Sequence, residues 1–400
     1  MAAAAVGAIL LASVTLYAVL GGADFGGGLW DLLAGGDRRG RAPRALIEES
    51  ITPVWEANHV WLIFDLVIFW TAFPHAFAAV MTTAALPLWL AVAGIVLRGA
   101  GFAFRKELSR LPQQRAAGAT FAFSSLLTPF FMGTVVGAIA SGQIPANADH
   151  ASLSAWTSAT SLLTGLLFVG TCSYIAAVYL VGEAADRGDR SLQHYFTRRA
   201  QAAAIITGAL SLATLAELHI SNAALFSRLT GRALALVVIA GLCGLAVLGL
   251  LTASRPRGIR VPAALGVAAV IWGWGVAQYP ELLPGTSMTL TGAGTPHATL
   301  VAIIWLSAAG ALIAGPSYAL LFALQGRQVL QAGDEETDFP ARPGRRGGRD
   351  RRTSRLRRVP GGMLRHWRRP ASEQRPEGRR PRLTGTGHGD RHCRDDAGQR

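Results

Sequence analysis

Long apolar runs separated by short polar segments dominate the chain. Nine stretches reach the roughly 20 residues needed to cross a hydrocarbon core. They lie near 4–22, 54–73, 77–97, 117–140, 156–181, 200–218, 233–252, 261–279 and 298–323. Each is predicted helical, because a segment in lipid must satisfy its backbone hydrogen bonds internally. The two-residue alternation of a transmembrane barrel is absent. The pattern predicts an all-α polytopic membrane protein, a bundle of about nine transmembrane helices. Residues 1–20 contain no Lys or Arg, unlike the basic start of a secretory signal, so the first run is expected to be a retained span.

The polar segments between the runs predict an orientation. Loops 1, 3, 5 and 7 carry 4, 5, 4 and 3 basic residues, including Arg38, Arg39, Arg41 and Arg44, then Arg98, Arg105, Lys106, Arg110 and Arg115. Loops 2, 4, 6 and 8 carry 0, 0, 2 and 0. Basic loops stay in the cytoplasm, so the 16 to 2 split places the N-terminus outside and the C-terminus in the cytoplasm.

Composition agrees with this picture. Hydrophobic residues are 51% and charged residues 16% of the 400, against about 25% charged in soluble chains. The net charge of +14 is unevenly placed. Residues 1–332 hold 19 Lys+Arg and 14 Asp+Glu, whereas 333–400 hold 19 and 10. The basicity therefore concentrates in the tail, and no nucleic-acid partner is implied for the body. Residues 333–400 are rich in Arg, Pro and Gly without hydrophobic periodicity, which predicts disorder. A polybasic cytoplasmic stretch could hold anionic membrane lipid; the alternatives are a dispensable tail or out-of-frame translation. Cys172, Cys243 and Cys393 form no CxxC or CxxCH pattern, so structural zinc and covalent haem lack support. Cys172 and Cys243 read as small apolar residues within spans.

Candidate chemistry rests on ionisable groups within the runs, each costing about 3 kcal/mol on insertion scales. Asp24 and Asp31 lie at the cytoplasmic end of the first run, and Glu56, His59 and Asp65 in the second. His75, Glu217 and His219 lie at outer ends. The densest cluster is PVWEANHVW at 53–61. Pro53 suits a helix start, and Glu56 falls in the first turn, where the helix dipole favours a carboxylate. Glu56 and His59 are i,i+3 neighbours able to share a proton or hydrogen bond; Asn58 and Asp65, seven apart, share another stripe. Glu56 reads either as a proton-uptake site or as a solvated helix-end carboxylate. Asp65, near mid-span, requires protonation or a partner on another helix or subunit. The glycine run at 21–28 lacks the GK[ST] ending of a phosphate loop; small residues would instead let Asp24 pack against a neighbouring helix. Haem ligation would need facing His, Met or Cys, and no spacing pairs His59, Met81, Met132, Cys172 or Cys243 in this way.

Several segments together resemble subunit II of cytochrome bd-type quinol oxidases: LYAVLGGADFGGG at 16–28, PVWEANHVW at 53–61, TAFP at 71–74, LRGAGFAFR at 97–105, QYP at 278–280, and Pro316, Ser317 and Tyr318. The resemblance runs in order through roughly residues 1–327. It implies a two-subunit bacterial oxidase of the cytoplasmic (inner) membrane. Subunit I would carry haems b and d and the quinol site, and would reduce oxygen to water. Subunit II would bind no haem and no metal itself, support its partner, and contribute to proton uptake from the cytoplasm. The resemblance places the family's acidic positions at Asp24 and Glu56, and the proton-path candidates are Asp24, Glu56, Asn58 and His59. It leaves room for a structural quinone and a small third subunit. The chain departs from the pattern at Gly21, where some members carry a second acid. It departs again at Asp65, a buried polar candidate where the family is usually apolar or small, and through the extra residues 333–400. Two other readings stand beside the oxidase subunit: a proton- or ion-coupled secondary transporter, and a purely structural scaffold.

Overall fold

A computed structural model describes residues 1–36, 39–51, 55–107 and 111–336, with side chains at fewer positions within these. All belong to one unit, Met1–Asp338. The helices are α1 (Ala2–Leu32), α2 (Arg41–Ile51), α3 (Trp55–Ala72), α4 (Pro74–Thr83), α5 (Ala85–Glu107), α6 (Leu111–Ala140) and α7 (Leu153–Thr157). They continue with α8 (Ala159–Asp186), α9 (Arg190–Ser221), α10 (Ala223–Thr230), α11 (Leu234–Thr252), α12 (Arg260–Gln278) and α13 (His297–Glu336). Among the described residues extended pairing is limited to a single bridge between Glu281 and Thr289.

Seven of these helices, α1, α6, α8, α9, α11, α12 and α13, contain a run long and apolar enough to cross a membrane. An eighth crossing follows if the bent pair Asn58–Ala72 and Pro74–Thr83 counts as one. That pair turns through 119° at Phe73. Pro74 cannot continue α3, because it lacks an N–H and its ring clashes with the preceding turn; it opens α4 instead. The carbonyl of Ala72 at the break accepts from Thr295 N at 3.0 Å, and Thr83 at the far end of α4 accepts from Ser152 N at 3.0 Å. Both helix ends are thus satisfied from outside the helix, as buried carbonyls require.

Several expected boundaries move. The run expected as one span at 77–97 is two helices, divided at Ala84. The first helix continues ten residues past the expected end at 22, through the glycine run to Leu32. Glycine is a poor helix former, at about 1 kcal/mol worse than Ala; here packing overrides propensity. A Cβ on Gly26 would lie 2.0 Å from the carbonyl oxygen of Cys172 in α8, and one on Gly28 would lie 2.3 Å from Ser125 Cβ in α6. α1 therefore meets α8 and α6 at backbone contact, as expected of small residues between membrane helices.

Three of the later helices are started by side chains. Ser158, Asp189 and Asn222 accept from Ser161 N (3.2 Å), Leu192 N (2.9 Å) and Leu225 N (3.1 Å), opening α8, α9 and α10. One core packs Trp30, Leu46, Phe196, Leu251 and Ile259 around the C-terminal half of α8; another gathers Val6, Phe73, Val80, Leu283 and Leu300. Outside these cores the apolar surface faces outward: Ile205 and Leu212, Leu242 and Leu245, Trp305 and Leu312 are all exposed. That reverses the soluble arrangement and suits a lipid surround. Residues 333–336, expected as the start of the tail, continue α13; the remainder of the tail lies outside the described residues.

Candidate functional site

The polar residues that the sequence scatters over three helices converge where α1 changes its winding. Residues Tyr17–Gly21 form a single π-helical turn, a local feature that recurs at functional sites. The carbonyl of Leu20 within it accepts from Asn58 Nδ2 at 3.3 Å. The same Asn58 nitrogen donates to Asp24 Oδ2 at 2.7 Å. Asp24 and Asn58 are 1% and 2% exposed, so one amide bridges a rewound backbone and a buried carboxylate. Such a group must be hydrogen-bonded or charge-compensated to reside there.

Arg98 supplies the compensation. It lies on α5, is 2% exposed, and interacts electrostatically with Asp24 and Tyr17. Its guanidinium sits over the ring of Phe25 at 4.8 Å and over Phe121 at 5.3 Å, where cation–π attraction offsets part of the lost hydration. The expectation that Arg98 is a loop cation is therefore corrected. α5 runs ten residues past the predicted end of the third span and carries this side chain into the bundle. A signal was present: Arg98 is the only charged residue between 91 and 104, flanked by Gly99 and Gly101. Removing it leaves a basic-loop split of 15 to 2.

Aromatic groups close the cluster. His59 meets the ring edges of Tyr17 (6.1 Å) and Phe25 (5.8 Å). Tyr17, Phe25 and buried Cys172 form one apolar group with Met132 and Phe168 against it. Three of the four proton-path candidates are accounted for here: Asp24 and Asn58 in direct contact, and His59 beside them. Glu56 is in the first turn of α3 as expected, but its side chain lies outside the described residues, as does Pro53, so the expected Glu56–His59 pairing does too.

Asp65 falls on the Asn58 stripe of α3, two turns away. Its partner is a neutral one on another helix: Ser13 of α1, whose hydroxyl bonds the carboxyl. Asp31 at the end of α1 pairs with Arg44 Nε of α2 at 3.1 Å, and neighbouring Trp30 donates to Ser173 O at 2.8 Å. His75 and His219 are exposed and Glu217 is half-buried, away from the cluster; His219 packs on Phe226 at 4.5 Å. Among the described residues, no group of three His, Cys, Asp or Glu is placed to hold a metal.

A helical bundle with apolar outer faces and a carboxylate, amide and guanidinium sealed at the root of its first span defines a polytopic membrane protein that stabilises charge inside its apolar interior. The chain belongs to the family of cytochrome bd terminal oxidase subunit II, which it matches over residues 3–325. It is 27% identical over 181 residues to cytochrome bd ubiquinol oxidase subunit 2 of Bacillus subtilis, covering 44% of this chain and 52% of that one. To cytochrome bd-I ubiquinol oxidase subunit 2 of Escherichia coli K12 it is 28% identical over 212 residues, covering 50% and 52%. The chain thus spans about half the length of the curated relatives it matches. A chain of the bd oxidase from Geobacillus thermodenitrificans has the same fold, with a TM-score of 0.65 at 22% identity over 81% of this chain and 98% of that chain.

Proposed function

We propose that this chain is the haem-free subunit II of a cytochrome bd-type quinol oxidase of the bacterial inner membrane. The observation that carries the reading is the family match over residues 3–325. In this reading the chain pairs with a subunit I holding haems b and d. The heterodimer oxidises quinol and reduces oxygen to water, with room for a small third subunit and a structural quinone. Counting α3 and α5 as crossings beside the seven gives nine spans. With the basic-loop bias, that number puts the N-terminus outside and the C-terminus in the cytoplasm. Residues 1–327 are then the bundle, and 333–400 an appended tail.

Electrons reaching oxygen must be matched by protons, and the Asp24 cluster suits their uptake. Glu56 stands at the first turn of α3, at the cytoplasmic end in this orientation. Asn58 ties that helix to Asp24 at 2.7 Å. Arg98, buried beside Asp24, supplies the positive charge that a carboxylate sealed in an apolar interior needs nearby. Protons pass inward from Glu56 by way of His59 and Asp24, and Asn58 orients the receiving carboxylate. The family match favours this subunit over a secondary transporter, which would bind a solute without a haem-bearing partner.

The discriminating experiment is Glu56→Gln in the assembled complex. The relay predicts normal haem content with turnover lowered about a hundredfold, the low end for a positioned proton-transfer group. Full turnover with normal haem would refute the relay. Loss of haem would make Glu56 an assembly contact.

A further inference from the structure

Beyond the Asp24 cluster, α1 and α3 share a second polar level that the proposed uptake route does not use. The two helices run antiparallel, so Asp24 meets Asn58 at one level and Ser13 meets Asp65 at the other. The Ser13 hydroxyl also lies 3.5 Å from the carbonyl of Trp61, which fixes the register. Tyr17 lies between the two levels, one turn from Ser13, and interacts electrostatically with both Asp24 and Asp65. Ser13 and Tyr17 are both sealed from the surroundings, at 2% and 4% exposure.

Three polar atoms along this seam make no hydrogen bond among the described residues: Asn58 Oδ1, the Tyr17 hydroxyl and Asp65 Oδ1. A single orphan is an ordinary blemish, but three in sequence between the buried Asp24 carboxyl and the half-buried Asp65 carboxyl form a line of donors and acceptors. Orphaned buried polar atoms are the places where ordered water binds, each water needing two to four such partners. Seven residues of α3 separate Asn58 from Asp65, about 10 Å along the helix axis, a gap that two or three waters span.

We infer that the α1–α3 seam is a hydrated proton branch leading from Asp24 past the Tyr17 hydroxyl to Asp65, with Asp65 as its terminal acceptor. It rests on the reading of the chain as an oxidase subunit for its purpose, though not for its chemistry. A proton leaving the Asp24 carboxyl enters the water line and Asp65 becomes a neutral carboxylic acid; Asp24 is reprotonated from the cytoplasmic side, and the proton held in reserve on Asp65 returns along the same line when oxygen reduction draws on it. Ser13 keeps its hydrogen bond to Asp65 in both states, since a hydroxyl can donate to a carboxylate or accept from a carboxylic acid. Tyr17 is a positioning residue: its hydroxyl orients water and does not itself lose the proton.

The test uses the full chain, purified in nanodiscs with whatever subunit accompanies it, in wild-type, Asp65→Asn and Tyr17→Phe forms. Two readouts are taken: quinol-driven oxygen uptake, and infrared difference spectra on exchange from water to heavy water. Asn fits the Asp65 site and still accepts from Ser13, so a merely structural role survives that change. The branch predicts a carboxyl band that shifts rapidly on exchange in wild type, is missing in Asp65→Asn, and exchanges at least about tenfold more slowly in Tyr17→Phe. Uptake falls by about tenfold in both variants at unchanged haem content, less than for a sole route because the direct path persists. A shifting band in a preparation without haem or uptake would retain the seam and remove the oxidase reading. An Asp65→Asn spectrum identical to wild type would overturn the branch. If Asp65→Asn does not assemble, Tyr17→Phe decides: unchanged exchange of the carboxyl band overturns the proposal.

Discussion

Replacing Gly26 by Ala adds one methyl group where α1 touches α8. The new Cβ would stand 2.0 Å from the Cys172 carbonyl oxygen, 2.5 Å from its carbon and 2.7 Å from Ala176 Cβ. Two of these three atoms are backbone, so no rotamer change relieves the overlap. Ordinary contact begins at about 3.5 Å, and the helices would have to part by about 1 Å or more along a seam that also seats Asp24. Overpacking of this kind costs about 1–3 kcal/mol, a factor of roughly 5 to 150 in the native population. Gly208 in α9 is the matched control, because a Cβ there meets nothing within 4 Å. Ala is the better helix former, so Gly208→Ala should be neutral or stabilising by up to about 1 kcal/mol. Thermal unfolding of the purified complex, followed by near-ultraviolet circular dichroism, compares the two. The expected result is a clearly lower midpoint for Gly26→Ala and an unchanged or raised one for Gly208→Ala. Equal midpoints would refute the claim that backbone contact at Gly26 sets the α1–α8 packing.

Three further outcomes are expected. Trp30→Phe removes the donor to Ser173 O and should lower stability by about 1–2 kcal/mol, read from the same unfolding curves; no change would make that bond irrelevant. Arg44→Ala takes the cation from the nearly buried Asp31 and should cost about 2 kcal/mol, discounted from a fully buried pair because Arg44 is partly exposed. Asp31→Asn in the same protein should restore part of the loss, and an absence of rescue would contradict the pairing. Asn58→Ala leaves the Leu20 carbonyl and Asp24 without their donor, so stability and oxygen uptake should fall together, whereas Asn58→Asp should assemble less well still because it sets two carboxyls side by side.

The fold class was legible because lipid leaves the chain few choices: long apolar runs must be helices, and the runs are long here. Boundaries were less legible where tertiary contacts overrule composition. The glycine run at 21–28 reads as a helix end, yet it is helical because Gly26 and Gly28 admit α8 and α6. The division at Ala84 is invisible in a run that is apolar on both sides. In the site, Asp24 was readable as a candidate from its cost in an apolar run, Asn58 from the polar cluster at 53–61, and the stripe joining Asn58 to Asp65 from seven-residue spacing. Which helix each would meet was not readable, because spacing orders residues along one helix and says nothing of its neighbour. Arg98 was missed for a related reason: a cation at the edge of a predicted span is indistinguishable from a loop cation until the helix is seen to continue. The π-turn at Tyr17–Gly21 has no composition of its own, and the residue that meets its Leu20 carbonyl, Asn58, lies on another helix.

The most direct test of the central claim is to purify the full-length chain by a tag from cells that also express the adjacent gene, and to record its absorption spectrum with quinol-driven oxygen uptake. An oxidase subunit II brings with it a second, haem-bearing subunit, reduced by quinol and reoxidised by oxygen. A folded chain that purifies without haem, without a second membrane subunit and without uptake, both as the full chain and when cut after residue 332, would contradict it.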